Sequence, residues 1–216
     1  MSKSVAVLGL GKYGRSLAEH LYSAGVDVLV ADKNKDLIED IADKCTSAVC
    51  ANLTDEDAVM ALGLKNMDIV VSAMGGNLAA SIMAVAVAKE QGVPLVVAKS
   101  SSERMSSLLR KVGADKVIDP EGEGGERSAK ILQSMSFKDF FKLDDNMYMI
   151  EMGPKKDWIG KSLVELELRQ TMNLNVSAMK QKGERWHFIE PTTPITADSE
   201  LLIAMEKKTR ITANWG

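Results

Sequence analysis

Val5-Ala6-Val7-Leu8-Gly9-Leu10-Gly11-Lys12-Tyr13-Gly14 is the stretch on which the fold turns. Four apolar residues run straight into a glycine-rich turn, and a helical pattern begins near Tyr13. A second apolar run, Val28-Leu29-Val30-Ala31, follows that helix and closes on an acid, Asp32. Strand, glycine turn, helix, strand and carboxylate at this spacing is what an adenosine site of the dinucleotide type requires. Gly9 permits the tight turn, Gly11 lets the backbone approach a pyrophosphate, and Gly14 lets the helix pack closely on the sheet. The helix then directs its free N–H groups and the positive end of its dipole at phosphate. A turn serving helix packing alone would show the same three glycines, so the flanking strands and Asp32 carry the argument.

Outward from this unit, the first 135 residues alternate strand and helix patterns. Apolar runs at Val5–Leu8, Val28–Ala31, Ala48–Ala51, Ile69–Ala73, Leu95–Ala98 and Val117–Ile118 read as strands. They are not alternating in polarity, which suits a sheet covered on both faces. Helical stretches lie near Tyr13–Ala24, Lys35–Lys44, Asp55–Leu62, Leu78–Gln91 and Glu103–Val112, with Thr54 and Asn77 as expected N-caps. Regular alternation implies right-handed crossovers and an α/β fold, a doubly wound (Rossmann-like) parallel sheet. The rhythm changes near Ser136. Phe137-Lys138-Asp139-Phe140-Phe141 reads as an aromatic cluster packing lobes or subunits together, and Asp144-Asp145-Asn146 as a turn. Strand candidates Met147–Met152, Asn175–Met179, Trp186–Ile189 and Leu201–Met205, with a helical piece Leu163–Thr171, predict a second, smaller α+β domain over 136–216.

Composition bounds the function classes. The chain has 216 residues, 45% hydrophobic and 26% charged, with a net charge of −3; that is ordinary for a globular protein and offers no basic surface for nucleic acid. Cys45 and Cys50 lack metal-ligand spacing and read as reduced core thiols of a cytosolic protein. Met1-Ser2-Lys3-Ser4 runs directly into the first strand, without the pattern of a signal peptide. Ile69 to Ala88 carries no charge and is long enough to span a bilayer. Gly75-Gly76-Asn77 divides it, so a buried strand, turn and helix is the expectation.

Ligands of a doubly wound sheet sit beyond the C-terminal strand ends. Asp32 is placed to accept hydrogen bonds from ribose hydroxyls while repelling a 2′-phosphate, ahead of the Lys33-Asn34-Lys35 turn. Asn52 is placed for the adenine edge, Gly75 for close backbone approach and Lys99 for phosphate charge. Lys12, Tyr13, Lys33, Leu53, Ala73, Met74 and Asn77 complete the expected lining. Glu121, in the acidic run Glu121-Gly122-Glu123-Gly124-Gly125-Glu126, either favours a helix dipole or meets phosphate through Mg²⁺ or Ca²⁺. The two histidines, His20 and His187, fall away from this crevice, and no nucleophile elbow or P-loop is present. A dehydrogenase would need an acid or base there.

The ordered series Val5–Gly14, Asp32, Ala51-Asn52-Leu53-Thr54-Asp55, Leu62-Gly63, Ala73-Met74-Gly75, Val97-Ala98-Lys99, Val112-Gly113-Ala114-Asp115 and Ile118-Asp119-Pro120-Glu121 resembles the regulator-of-potassium-conductance family, in its Ktr/Trk-type potassium-uptake regulatory subunits. Trp158-Ile159-Gly160-Lys161-Ser162-Leu163-Val164-Glu165-Leu166 and Arg169 resemble its C-terminal lobe, and Pro194-Ile195-Thr196 matches more loosely. The resemblance implies a cytosolic, non-catalytic subunit at the inner face of the cell membrane, forming homodimers assembled into an octameric ring on a membrane potassium-translocating subunit. It implies ATP or ADP as ligand, with NAD or NADH as the alternative. Asp32 would hold ribose, Asn52 adenine, Gly9, Gly11 and Gly14 the phosphates with Lys99 beside them, and Glu121 a divalent cation at the γ-phosphate. Lys12 stands where relatives carry an arginine reaching a γ-phosphate across the dimer; lysine supplies the charge without the planar fork. Some relatives bind cyclic di-AMP in the C-terminal lobe, where Arg169 and Pro191 are the matching positions. A small NAD-dependent oxidoreductase and a free-standing nucleotide sensor stay open as other readings.

Overall fold

The computed structural model describes residues 3–134 and 136–207. Six strands, β1 (Ser4–Leu8), β2 (Asp27–Asp32), β3 (Ser47–Cys50), β4 (Ile69–Ser72), β5 (Leu95–Lys99) and β6 (Lys116–Ile118), form one parallel sheet. Its order is β3-β2-β1-β4-β5-β6, so the strand order reverses between β1 and β4. Helices α1 (Lys12–Ser23), α2 (Lys35–Ile41), α3 (Glu56–Met60), α4 (Leu78–Glu90), α5 (Glu103–Val112) and α6 (Pro120–Gln133) follow the strands in turn.

The strands bury both faces, as their unbroken apolar runs require. Val5, Val7, Val28, Val30 and Val71 pack with Ala18 of α1 and Ile38 and Ile41 of α2. Ala6, Leu8, Ala31, Val70, Val96 and Ala98 face the other way, onto Val59 of α3, Ala80, Ala84 and Ala88 of α4 and Leu109 of α5. Helix α4 is apolar nearly all round and is buried along six of its residues, which explains the uncharged run from Ile69 to Ala88 without a membrane. Among the described residues no helix is long and apolar enough to cross one.

The chain divides into two compact units after Gly122, so α6 begins in the first unit and continues in the second. In the second, β7 (Phe137–Lys142), β8 (Met147–Met152), β9 (Leu174–Lys180), β10 (His187–Phe188) and β11 (Glu200–Glu206) form an antiparallel sheet ordered β10-β9-β11-β8-β7. Its apolar face carries Ile150, Met152, Leu201, Ile203 and Met205 against Trp158, Leu168 and Ile195. The aromatic cluster is a correction: Phe137–Lys142 is strand β7, and Phe137 and Phe140 lie in this unit's own core. An irregularity between Phe137 and Asp139 breaks the two-residue alternation and hides the strand from a pattern reading. The helical piece at Leu163–Thr171 is two helices, α7 (Leu163–Leu166) and α8 (Leu168–Met172), separated by Glu167 at φ 44°. Ser162 and Glu165 form a reciprocal cap that fixes the start of α7. Of the two thiols only Cys45 is buried; Cys50 is exposed at the end of β3.

The second sheet's polar face holds an ion network: Glu200 on β11 pairs with Lys138 on β7 and with Lys180 on β9 at 2.8 Å, and Lys180 also meets Glu151 on β8 at 3.1 Å. Lys138, then Lys180, hold the Glu200 carboxyl down to about 2 from an ordinary 4.5. A carboxyl with a depressed folded pKa contributes stability above its unfolded value and loses it as pH falls through the folded one. Urea midpoints are therefore expected to fall more steeply from pH 4.5 to 2 in the wild type than in Glu200→Gln. Parallel pH profiles for the two proteins would remove Glu200 from the acid response.

Candidate functional site

β1 delivers the chain to Gly9, whose φ of +99° is a conformation that side-chain-bearing residues rarely adopt. The Gly9 N–H donates to the Ala31 carbonyl at 2.8 Å. Asp32 then ties two loops together. Its Oδ2 accepts from the Leu10 N–H at 2.7 Å, and its Oδ1 accepts from the Asn34 N–H at 2.9 Å. The expected ribose acceptor is thus also the brace of the glycine turn, with lone pairs left for a ligand. Gly14 has no room for a side chain: a Cβ would lie 2.0 Å from the Gly9 carbonyl oxygen and 3.0 Å from Ala73 Cβ. Gly11 is the opposite case. Nothing stands within 4 Å of where its Cβ would be, so no protein neighbour requires a glycine there.

Helix α1 is left open at the same point. Asn34 caps α2, Asp55 caps α3, Asn77 caps α4 and Ser102 caps α5, each with its side chain accepting a backbone N–H. Gly11 caps α1 and makes no such bond. The first N–H groups of α1 therefore keep hydrogen-bonding capacity toward the crevice, together with the positive end of the dipole. Asn77 caps α4 as the sequence predicts, but Thr54 does not cap α3. Asp55 takes that place because Thr54 is drawn into a turn, its N–H and hydroxyl both donating to Asn52 Oδ1 at 3.2 and 2.8 Å.

Beside this turn lies a cavity of about 520 Å³, within the range of small-molecule sites. Asp32, Lys33, Asn52, Leu53, Met74 and Asn77 line it, together with Thr54 and Ala80. Thr54, expected as a cap and as part of the Ala51–Asp55 series, and Ala80 are additions to the expected lining. The Asn52-x-Thr54 turn spacing was the available signal for the first; nothing in the sequence marks the second. Asn52 spends its side-chain oxygen on Thr54, so its amide N–H groups are what it can offer a base. Ala73 is buried in the core on the α1 side and contributes wall rather than contact. Lys12 is exposed at the first position of α1.

On the other flank of the glycine turn, Lys99, Tyr13, Gly75 and Glu121 come together. The Lys99 ammonium bonds Glu121 Oε1 at 2.5 Å and lies 5.7 Å from the centre of the Tyr13 ring. Its methylenes cross Gly75, where a Cβ would be 3.1 Å from Lys99 Cε. Lys99 keeps only 12% of its side chain exposed, against 65% for Glu121. The Lys99 bond holds the Glu121 carboxyl below the usual carboxylate range. Among the described residues no three His, Cys, Asp or Glu side chains converge as a metal set. A divalent cation at Glu121 would have to displace Lys99 and draw its remaining ligands from phosphate and water. In the second unit, Arg169 is exposed on α8, and the Pro191 carbonyl accepts from the Val164 N–H at 3.1 Å.

Comparison with known proteins bears on the family and the fold. Residues 5–120 match the family described as the TrkA-N domain. The chain is 31% identical to Ktr system potassium uptake protein C of Bacillus subtilis over 98% of its own length and 95% of the relative's. It is 30% identical to Ktr system potassium uptake protein A of the same organism, over 96% and 93%. Among solved structures, the GsuK channel bound to NAD superposes with a TM-score of 0.67 at 18% identity, over 97% of this chain. The chain spans 38% of that channel polypeptide, and the likeness concerns the fold.

Asp32→Asn replaces one acceptor oxygen by an N–H₂ facing a backbone donor. A hydrogen bond to a charged group is worth about 1.5–3 kcal/mol, so the ligand-free variant should melt several degrees below the wild type. An unchanged melting temperature would show that Asp32 does not brace the turn.

Proposed function

We infer the function from a premise of kinship: this chain belongs to the TrkA-N domain family and, within it, to the Ktr system potassium uptake proteins. It is a cytosolic nucleotide-binding regulatory subunit, not an enzyme, and it controls a membrane potassium-translocating partner. One observation carries the ligand part of this reading. The N-terminus of α1 alone among α1 to α5 lacks a side-chain cap, and it opens at the reversal of strand order beside Asp32 and the cavity. Phosphate is the group whose charge and acceptors suit that end. The cavity, with a ribose acceptor at Asp32 and amide donors at Asn52, suits an adenosine.

ATP or ADP is the proposed ligand; NAD, which the GsuK channel of similar fold binds, is the competing one. Among the described residues, neither histidine lines the cavity, and the ionisable side chains that do are Asp32 and Lys33. Asp32 is already bonded to two backbone N–H groups, so at the adenosine end it serves as a hydrogen-bond acceptor. Control requires that two states of an assembly bind the nucleotide unequally. A hundredfold difference in affinity supplies about 2.7 kcal/mol, enough to tip a balanced gate. The assembly proposed is a homodimer built into an octameric ring. In it, Lys12 reaches a neighbour's terminal phosphate, Glu121 takes up a divalent cation when ATP draws one in, and the second unit offers Arg169 to cyclic di-AMP.

Two measurements test this reading. Calorimetric titration should show ADP and ATP binding that falls at least tenfold in Asp32→Ala. Light scattering should give a mass well above the 23.4 kDa of one chain. A monomer that binds no adenine nucleotide would overturn the proposal.

A further inference from the structure

A dinucleotide needs room on both sides of the strand reversal. The adenosine side is hollow: the lining of the cavity comes from the ends of β2 and β3, the loop after β4 and the start of α4. None comes from β5, β6 or α6. The other side is crossed by a side chain of the protein itself. Lys99 leaves the end of β5, runs over Gly75 after β4, and ends between the Tyr13 ring on α1 and Glu121 on α6. Its path spans the ends of the strands where the second nucleoside of a dinucleotide would lie.

Three features hold it there. The ammonium has a carboxylate partner and an aromatic face. The methylenes lie close over Gly75, where a Cβ would stand 3.1 Å from Lys99 Cε and 3.4 Å from Cδ. The side chain is nearly buried, at 12% exposure. Resting on the nucleotide reading above, we propose that Lys99, anchored by Glu121 and Tyr13, is a specificity-determining residue: it plugs the second nucleoside position, so the site accepts an adenine mononucleotide and rejects a dinucleotide. An ADP-sized ligand ends over the α1 N-terminus, short of the plug, and keeps the ammonium as a nearby counter-charge. The nicotinamide riboside of NAD would have to evict a lysine and leave Glu121 unpaired close to the pyrophosphate.

The test separates steric exclusion from simple charge. Titrations are run on the full chain in chelator, so that no divalent cation engages Glu121. Wild type should bind ADP at least tenfold more tightly than NAD. In Lys99→Ala, ADP should weaken, whereas NAD should bind at least fivefold more tightly despite the lost positive charge. Lys99→Arg should keep the wild-type preference, and Lys99→Thr, suited to a strand end, repeats the alanine test in a second background. A lysine acting only as a charge would weaken both ligands when removed, and that outcome overturns the proposal. So does equal affinity of wild type for ADP and NAD, which would leave the nucleotide reading standing. No binding of either ligand by wild type would overturn both.

Discussion

The bond from the Leu10 N–H to Asp32 is the constraint on which the first unit's site depends. It joins the second residue after β1 to the residue that ends β2, so turn and strand end cannot move independently. Gly14 closes the same joint from the other side, because its hydrogen-only Cα lets α1 rest on the Gly9 carbonyl. The helix is thereby fixed with its uncapped end at the C-terminal end of the central strand β1. A side chain at position 14 would push α1 off the turn. A capping side chain at position 11 would spend the N–H groups that the open end keeps in reserve. The three glycines thus differ in role: Gly9 needs its positive φ, Gly14 its missing side chain, and no neighbour within the chain demands the glycine at position 11.

Much of this was legible beforehand because it follows from local rules. The β-α-β unit is written in consecutive residues, and each apolar run between Val5 and Ile118 became a strand of the parallel sheet. Of the residues expected at one crevice, Asp32, Lys33, Asn52, Leu53, Met74 and Asn77 line the cavity, whereas the glycine turn, Lys12, Tyr13, Ala73, Gly75, Lys99 and Glu121 are not among its lining residues. What stayed hidden needed tertiary contact. The chain at Phe137–Lys142 carries charges between its aromatic residues and a register irregularity, so its pairing with β8 leaves no two-residue pattern. Glu167 interrupts a helix that its neighbours favour, by adopting a left-handed conformation unusual for glutamate. Asp55 wins the cap of α3 from Thr54 because Asn52, two residues earlier, claims the threonine hydroxyl.

The Lys99–Glu121 pair was the least foreseeable feature. Each residue, taken singly, suggested a partner outside the protein: phosphate for the lysine, a cation for the glutamate. The fold brings them within hydrogen-bond distance, since β5 and β6 are adjacent and parallel and both end at the same edge. Charge complementarity inside the chain then competes with both expected ligands. Exposed pairs contribute little, about 0–1 kcal/mol. This one has a nearly buried lysine, so separating the charges leaves an ammonium in need of a new anion.

That competition bears on α6 as well as on the crevice. The helix opens Pro120-Glu121-Gly122-Glu123-Gly124-Gly125, and glycine in a helix interior costs about 1 kcal/mol relative to alanine. Its first turn is therefore weak by propensity. Proline at its first position suits the turn, Asp119 accepts the Gly122 N–H at 3.0 Å, and Glu121 is tied to Lys99. Of these supports, only the last reaches into the crevice. Loss of the Lys99 side chain would remove it, at the point where the chain passes from its first unit to its second. The crevice and that helix start are then linked through one ammonium group.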